Sequence, residues 1–166
     1  MIISLCACSN FGHNTEGPPD SLPQSPSPVP TVDPALPPDV AIEVKDGETF
    51  TVHPASYDWE YPDDSGTLCN VTTCGVSPLE YAGDPDSHRE LTIVPQDSTD
   101  GTVKLVISEH TSFTISSWIE GATCGVSDPV YIDGDAVISL PEGGHRYIYE
   151  LSVTYPSGDA RYVFCI

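Results

Sequence analysis

The stretch that most constrains this chain is its last, residues 145–166. In HRYIYELSVTY the side chains of Tyr147, Tyr149, Leu151, Val153 and Tyr155 alternate with Ile148, Glu150, Ser152 and Thr154. Alternation with period two over that length is the pattern of a strand buried on one face. Pro156-Ser157-Gly158-Asp159 then supplies turn residues, and Ala160, Tyr162, Phe164 and Ile166 resume the alternation. With Tyr155 opposite Ala160, both inward sets fall on the same face, so pattern and register agree on an aromatic-faced hairpin. A two-stranded hairpin is marginal alone. Other strands have to cover it, and they come from earlier in the chain.

Val40, Ile42 and Val44 alternate, Asp46-Gly47 marks a turn, and Phe50 and Val52 alternate back, which predicts a hairpin. Pro54 is read as its end. Tyr57-Asp58-Trp59-Glu60-Tyr61 gives a short strand with three aromatics on one face and two carboxylates on the other. Further strands are expected over Glu90–Val94, Thr102–Glu109, Ser112–Trp118, Val130–Ile132 and Ala136–Leu140. No window shows helical periodicity. Roughly nine short strands, with turn signals about every 8–12 residues, predict an all-β fold: an antiparallel β-sandwich first, a barrel second.

The length of 166 residues allows one ordinary domain plus extras. The 25 acids against 5 bases give a formal net charge of -20. That charge argues against nucleic acid, which needs a basic footprint, and against electrostatic docking to anionic lipid. It predicts a soluble, self-repelling monomer. No cofactor is implied. Asp84 with Asp86 and Asp133 with Asp135 form close pairs that raise calcium, without the spacing of an EF-hand loop.

The N-terminal residues read MIISLCAC, apolar and ending Leu5-Cys6-Ala7-Cys8. They resemble the bacterial lipobox, with Ala7 before the cut and Cys8 as the acylated terminus. Residues 1–8 are therefore read as a truncated signal peptide, and the implied location is extracytoplasmic, lipid-anchored to the bacterial cell membrane. Between Gly17 and Pro38 fall nine of the seventeen prolines, interleaved with Ser, Thr and Asp. Such a segment buries no apolar surface and prefers extended, polyproline-like conformations. Residues 9–39 are accordingly expected to be a disordered linker holding a folded head, residues 40–166, away from its anchor.

Cys69, Cys74, Cys124 and Cys165 lie in the strand-rich part, and an even set of four there predicts disulfides in an oxidising compartment. Zinc would need C-x2-C-like pairs, which these spacings do not supply. Were 69–74 a regular strand, Cys69 and Cys74 would stand ~17 Å apart on opposite faces, beyond the ~7 Å reach of a disulfide. In the chain-entropy view Cys74–Cys124 would stabilise by about 4 kcal/mol against about 2 for Cys69–Cys74. Cys74–Cys124 is the expected bridge, with Cys165, facing away from the aromatic row, paired to Cys69 or free. The string Thr73-Cys74-Gly75-Val76-Ser77 recurs as Thr123-Cys124-Gly125-Val126-Ser127 with unrelated flanks, so both read as loop entries rather than a duplicated domain.

No catalytic signature is present: no G-x-S-x-G elbow, no H-E-x-x-H and no glycine-rich phosphate loop. His53, His88, His110 and His145 are scattered singly beside turns. Asp58 and Glu60 share a strand face and would suit glycoside hydrolysis, but proximity is inevitable among so many carboxylates. Asn70-Val71-Thr72 is a formal glycosylation sequon, relevant only in a eukaryotic host. Trp59 and Trp118, with Tyr57, Tyr61 and Tyr81, would either line a carbohydrate-binding face or, as such residues more often do, form sandwich core.

Several of these strings carry a family resemblance. Tyr57-x-Trp59, Cys74-Gly75-Val76-Ser77-Pro78-Leu79-Glu80, Phe113-Thr114-Ile115-Ser116-Ser117-Trp118, Gly143-Gly144, Tyr147-Ile148-Tyr149-Glu150-Leu151 and Tyr162-Val163-Phe164 resemble a small extracytoplasmic domain of Firmicute lipoproteins. It is similar to the C-terminal ectodomain of BlaR1/MecR1-like M56 membrane peptidases of clostridia. The resemblance implies an Ig-like sandwich on the cell surface with no enzymatic residues to transfer. In that pattern a cysteine often precedes the tryptophan; here that place is Ser117 and the cysteine falls at Cys124. The expected function is a non-catalytic lipoprotein module that binds or senses an envelope ligand, a molecule or protein whose identity the residues do not name. A calcium-stabilised adhesion module and an unrecognised glycan or ester hydrolase are the alternatives.

Overall fold

A computed structural model describes residues 33–84, 91–122, 127, 130–132 and 135–166, with backbone alone at Tyr131. In chain order the strands are β1 (Val40–Glu43), β2 (Thr49–Val52), β3 (Pro54–Pro62), β4 (Leu68–Thr73) and β5 (Thr92–Ile93). They continue with β6 (Thr102–Val106), β7 (Ser112–Ile119), β8 (Tyr131–Ile132), β9 (Val137–Ser139), β10 (Tyr147–Tyr155) and β11 (Gly158–Cys165), and a short α-helix, α1 (Pro78–Gly83), follows β4. The strands form two open sheets, one ordered β2-β1-β6-β9-β8 and the other β4-β3-β11-β10-β7, with β5 alongside β11. Among the described residues every pairing is antiparallel except β5 with β11. The fold is an all-β sandwich, and neither sheet closes into a barrel.

The C-terminal hairpin sits at its centre. The inward members of β10 and β11, Tyr149, Leu151, Val153, Tyr155, Ala160, Tyr162 and Phe164, share one core with Val40, Ile42 and Val52 of the first sheet. Tyr149 lies opposite Phe164, and their rings stack with centroids 5.3 Å apart. The register differs from expectation by two residues: Tyr155 pairs Gly158, and Ala160 pairs Val153. The turn is only Pro156-Ser157, so Gly158 and Asp159 belong to β11. Because the offset is even, every side chain keeps its face. Gly158 makes the tight turn possible. Its φ is +145°, and a Cβ there would collide with the Asp58 carbonyl of β3.

The first hairpin forms as the alternation predicts, with Val40 opposite Val52 and Ile42 opposite Phe50. Asp46 and Gly47 both take positive φ, 67° and 80°, the backbone that a tight hairpin turn demands. Pro54 begins β3 rather than ending the hairpin; a strand's first position needs no N–H in the ladder. Strand β4 and helix α1 are additions to the expected elements. Strand β4 has no clean apolar alternation because it is an edge strand, and six residues are too few for α1 to declare a helical period. Helix α1 begins with Pro78 after the extended Ser77, and its Ala82 carbonyl accepts the Gly121 N–H at 2.7 Å. It covers one end of the second sheet's outer face, burying Tyr81 and Ala82 with Ile148, Val163 and Cys165. That second layer explains why Ile148 and Tyr149, adjacent and oppositely directed, are both buried.

The compact unit starts at Val32, ahead of the expected boundary at Val40. Residues 33–39 are anchored to the sandwich: the Trp59 indole N–H donates to the Pro34 carbonyl at 3.1 Å, and the Tyr162 hydroxyl donates to the Pro38 carbonyl at 2.6 Å. The rest of the expected linker, and Cys8 with it, lies outside the described residues.

Two predictions follow from this packing. Gly158→Ala should lower unfolding free energy by more than about 2 kcal/mol, since the new methyl meets backbone rather than a movable side chain; urea titration reads it. Burial pushes the pKa values of Tyr149, Tyr162 and the Cys165 thiol upward. Such groups stabilise the fold fully below their unfolded values, because only the unfolded chain releases their protons as pH rises. The urea midpoint should therefore fall progressively above about pH 8.5–10, and a flat alkaline profile would contradict the buried hydroxyl and thiol set.

Candidate functional site

Alternation along the second sheet sends its remaining side chains to the outer face. Beyond α1 that face is polar and open. Register places Ser112, Thr154, Asp159, Asp58 and Thr72 in one row across β7, β10, β11, β3 and β4. The next row runs Thr114, Ser152, Arg161 and Ser56. Neighbouring strands thus set hydroxyls, carboxylates and one guanidinium side by side, and a shallow groove of about 330 Å³ lies over them. A more polar hollow of about 300 Å³ continues past Glu60, Asn70 and Ser157.

Hydrogen bonds order the rows. The Asn70 amide donates to Asp58 Oδ1 at 2.9 Å, and the Thr72 hydroxyl donates to the same oxygen at 3.2 Å. The Thr154 hydroxyl donates to Asp159 Oδ1 at 2.7 Å. Arg161 Nε donates to the buried Ser56 hydroxyl at 2.9 Å, while its Nη1 stands 3.9 Å from Glu150. Asp58 and Asp159 face each other directly across β3 and β11, a like-charge pair that costs stability. The face offers both donors and acceptors to a ligand rich in hydroxyls or amides.

The sequence-designated residues divide. Asp58 and Glu60 do share the outer face, as alternation of β3 requires. Trp59, 7% exposed, lies in the core with Tyr57 and Tyr61 packed against it; the aromatics of β3 face inward and do not form a carbohydrate platform. Trp118 points the other way, into the cluster under α1. Its indole nitrogen is buried without a hydrogen-bond partner among the described residues. Tyr81 is buried in α1. These five aromatics line no common surface.

Cys69, Cys74 and Cys165 are free thiols, and Cys124, the expected partner of Cys74, lies outside the described residues. Cys69 stands opposite the inward Tyr61, whereas Cys165 is buried on the outer face beneath α1, so a Cys69–Cys165 bridge would have to cross the sheet. Gly75 in the repeated string has a local reason: a Cβ there would collide with the Ala55 carbonyl. Of the paired aspartates, Asp86 and Asp133 lie outside the described residues. Among the described residues no group of three or more His, Cys, Asp or Glu side chains is placed to share a metal ion, and no helix is long and apolar enough to cross a membrane. His53 Nδ1 meets Asp39 at 2.8 Å, and His110 Nδ1 meets the Ser108 carbonyl at 2.8 Å; both are exposed. Asp63 is held below the usual carboxylate range by the Ser65 hydroxyl and the Thr67 N–H, the opposite direction to that of a general acid.

Sequence reading did not single out Arg161, and it marked Asn70 and Thr72 only as the ends of a glycosylation sequon. The polar half of the β10–β11 alternation carried a signal for Arg161. Thr72 and Asn70 carried none for this face, because β4 was not assigned as a strand. Comparison with protein-family models, curated proteins and solved structures found no match to this chain.

The facing carboxylates make a measurable statement. Asp159→Asn keeps an acceptor for Thr154 and removes the repulsion, so it should raise stability by about 0.5 kcal/mol or less. The gain should shrink in 1 M salt, roughly a 3 Å screening length.

Proposed function

We propose that this chain is a non-catalytic extracytoplasmic binding module: an Ig-like sandwich borne on a proline-rich tether from a lipidated Cys8, presenting the outer face of its second sheet to an envelope ligand. The observation that carries the reading is the pair of adjoining rows, Ser112 to Thr72 and Thr114 to Ser56, left open where α1 ends. Hydrogen-bond donors and acceptors alternate there side by side, which matches a hydroxyl- and amide-rich polymer such as a cell-wall glycan. The described motifs behind the family resemblance lie mostly on β3, β7, β10 and β11, so the resemblance supports shared architecture rather than a shared active site.

The test is sedimentation of the full chain with purified peptidoglycan sacculi. The full chain should pellet with them, and Arg161→Ala combined with Thr72→Ala should weaken retention about tenfold. No retention, or retention indifferent to both changes, would sink the ligand face. In cells, Cys8→Ser should move the protein out of the membrane fraction; a protein already cytosolic before that change removes the anchor.

A calcium-stabilised adhesion module is a second reading, favoured by the facing pair Asp58 and Asp159, whose repulsion a bound cation would relieve. A metal bound only by the native state raises the melting temperature. A fall in that temperature on adding a chelator supports this reading, and an unchanged value removes it.

A further inference from the structure

The inner side of β3 holds a second feature, which adjoins the polar face at Glu60. Pro34 and Pro38 are held there through their carbonyls, one by the Trp59 indole N–H and one by the Tyr162 hydroxyl. Tyr155 supports both donors: its ring meets Trp59 edge-on at 5.5 Å, and its hydroxyl lies 3.0 Å from that of Tyr162. Aromatic side chains donating to proline carbonyls is how grooves read polyproline helices, whose carbonyls project outward unpaired. Beside this seated segment a cleft of about 360 Å³ remains, with half-buried Tyr61 and exposed Pro62 and Pro156 in its wall. Asp33, Glu60 and Glu109 line the same cleft.

We propose that this cleft is a docking site for a basic, proline-rich extended peptide supplied by a partner. Proline rings would lie against Tyr61, Pro62 and Pro156, beside the segment whose Pro34 and Pro38 carbonyls are already held. Lysine or arginine side chains of the peptide would meet the three carboxylates. The sign of those carboxylates selects the occupant. The chain's own residues 17–32 are rich in proline but include Asp20 and no Lys or Arg, so the acidic rim offers them no complement. A cation beside the Tyr61 ring gains from the ring face as well as from the carboxylates.

The probe is a synthetic peptide, PPRPPRPPRP, titrated into the full-length chain, with indole N–H resonances read by NMR and Trp118→Phe used to assign the Trp59 signal. The Trp59 resonance should shift saturably. Tyr61→Ala should weaken binding about tenfold or more, and Glu60→Gln with Glu109→Gln, both at exposed positions, should weaken it and flatten its salt dependence. AARAARAARA should bind far more weakly, which separates polyproline reading from bare charge. The proposal is overturned by an unmoved Trp59 signal at millimolar peptide, by equal binding of the alanine peptide or of PPEPPEPPEP, or by Trp59 shifts on dilution without peptide. The last outcome would assign the cleft to a second copy of this chain. Glu60 borders both sites, so retention on sacculi is read on Tyr61→Ala and Glu109→Gln, which touch the cleft alone and leave failure of the polar face distinguishable.

Discussion

The sandwich depends on the burial of one aromatic-faced ribbon, β10 with β11. Those two strands occupy the middle of the second sheet, so each has a partner on both sides and neither offers an edge. Their inward tyrosines satisfy two demands at once. The rings of Tyr149 and Phe164 fill the core, while the hydroxyls of Tyr155 and Tyr162 find each other and the Pro38 carbonyl. Burying a phenol is favourable only if its hydroxyl keeps a partner. Residues 33–39 supply that partner, and for this reason the folded unit reaches back into what composition alone reads as linker.

The same ribbon explains the division of the outer face. Val163 and Cys165 on β11 and Ile148 on β10 are apolar outward residues, and they lie together at one end of the sheet. Left open they would form an exposed apolar patch, so α1 and the segment through Ala122 close over them. Toward the turn, the outward residues are Ser152, Thr154, Asp159 and Arg161, and among the described residues no helix covers them. The boundary between covered and open sheet is therefore written in the outward half of the alternation.

Legibility of the structure in the sequence followed burial. The inward set of the ribbon, the first hairpin and the sandwich class were readable because one-sided burial imposes period two on the side chains. Strand β4 was not readable: an edge strand carries weaker burial demands, and Leu68, Asn70 and Thr72 all face solvent. Helix α1 was hidden for the opposite reason, being held by contacts to the sheet rather than by any pattern of its own. The aromatics of β3 illustrate a further limit. Alternation placed Tyr57, Trp59 and Tyr61 on one face but gave no sign of which face was the core, so ligand platform and core remained open until the second sheet was seen. The polar rows needed cross-strand register, which five strands contribute and no single one contains.

Both candidate sites meet on β3, and this couples them. Its even positions, Asp58 and Glu60, serve the polar face; its odd positions, Trp59 and Tyr61, build the proline-holding edge. A slip of one residue would drive the carboxylates into the core and the rings into solvent, destroying both sites together. The strand is pinned against that slip at two points. Near its start the pairing with β11 skips Ala55 between Arg161 and Tyr162, a bulge that sends Ala55 and Ser56 outward together. Near its end the α-carbon of Gly158 packs against the Asp58 carbonyl, an approach that no other residue at 158 permits. The Glu60 N–H then donates to the Ser157 carbonyl at 2.8 Å, fixing β3 to the turn itself. The shortest turn in the second sheet thus holds the strand that carries both surfaces in register.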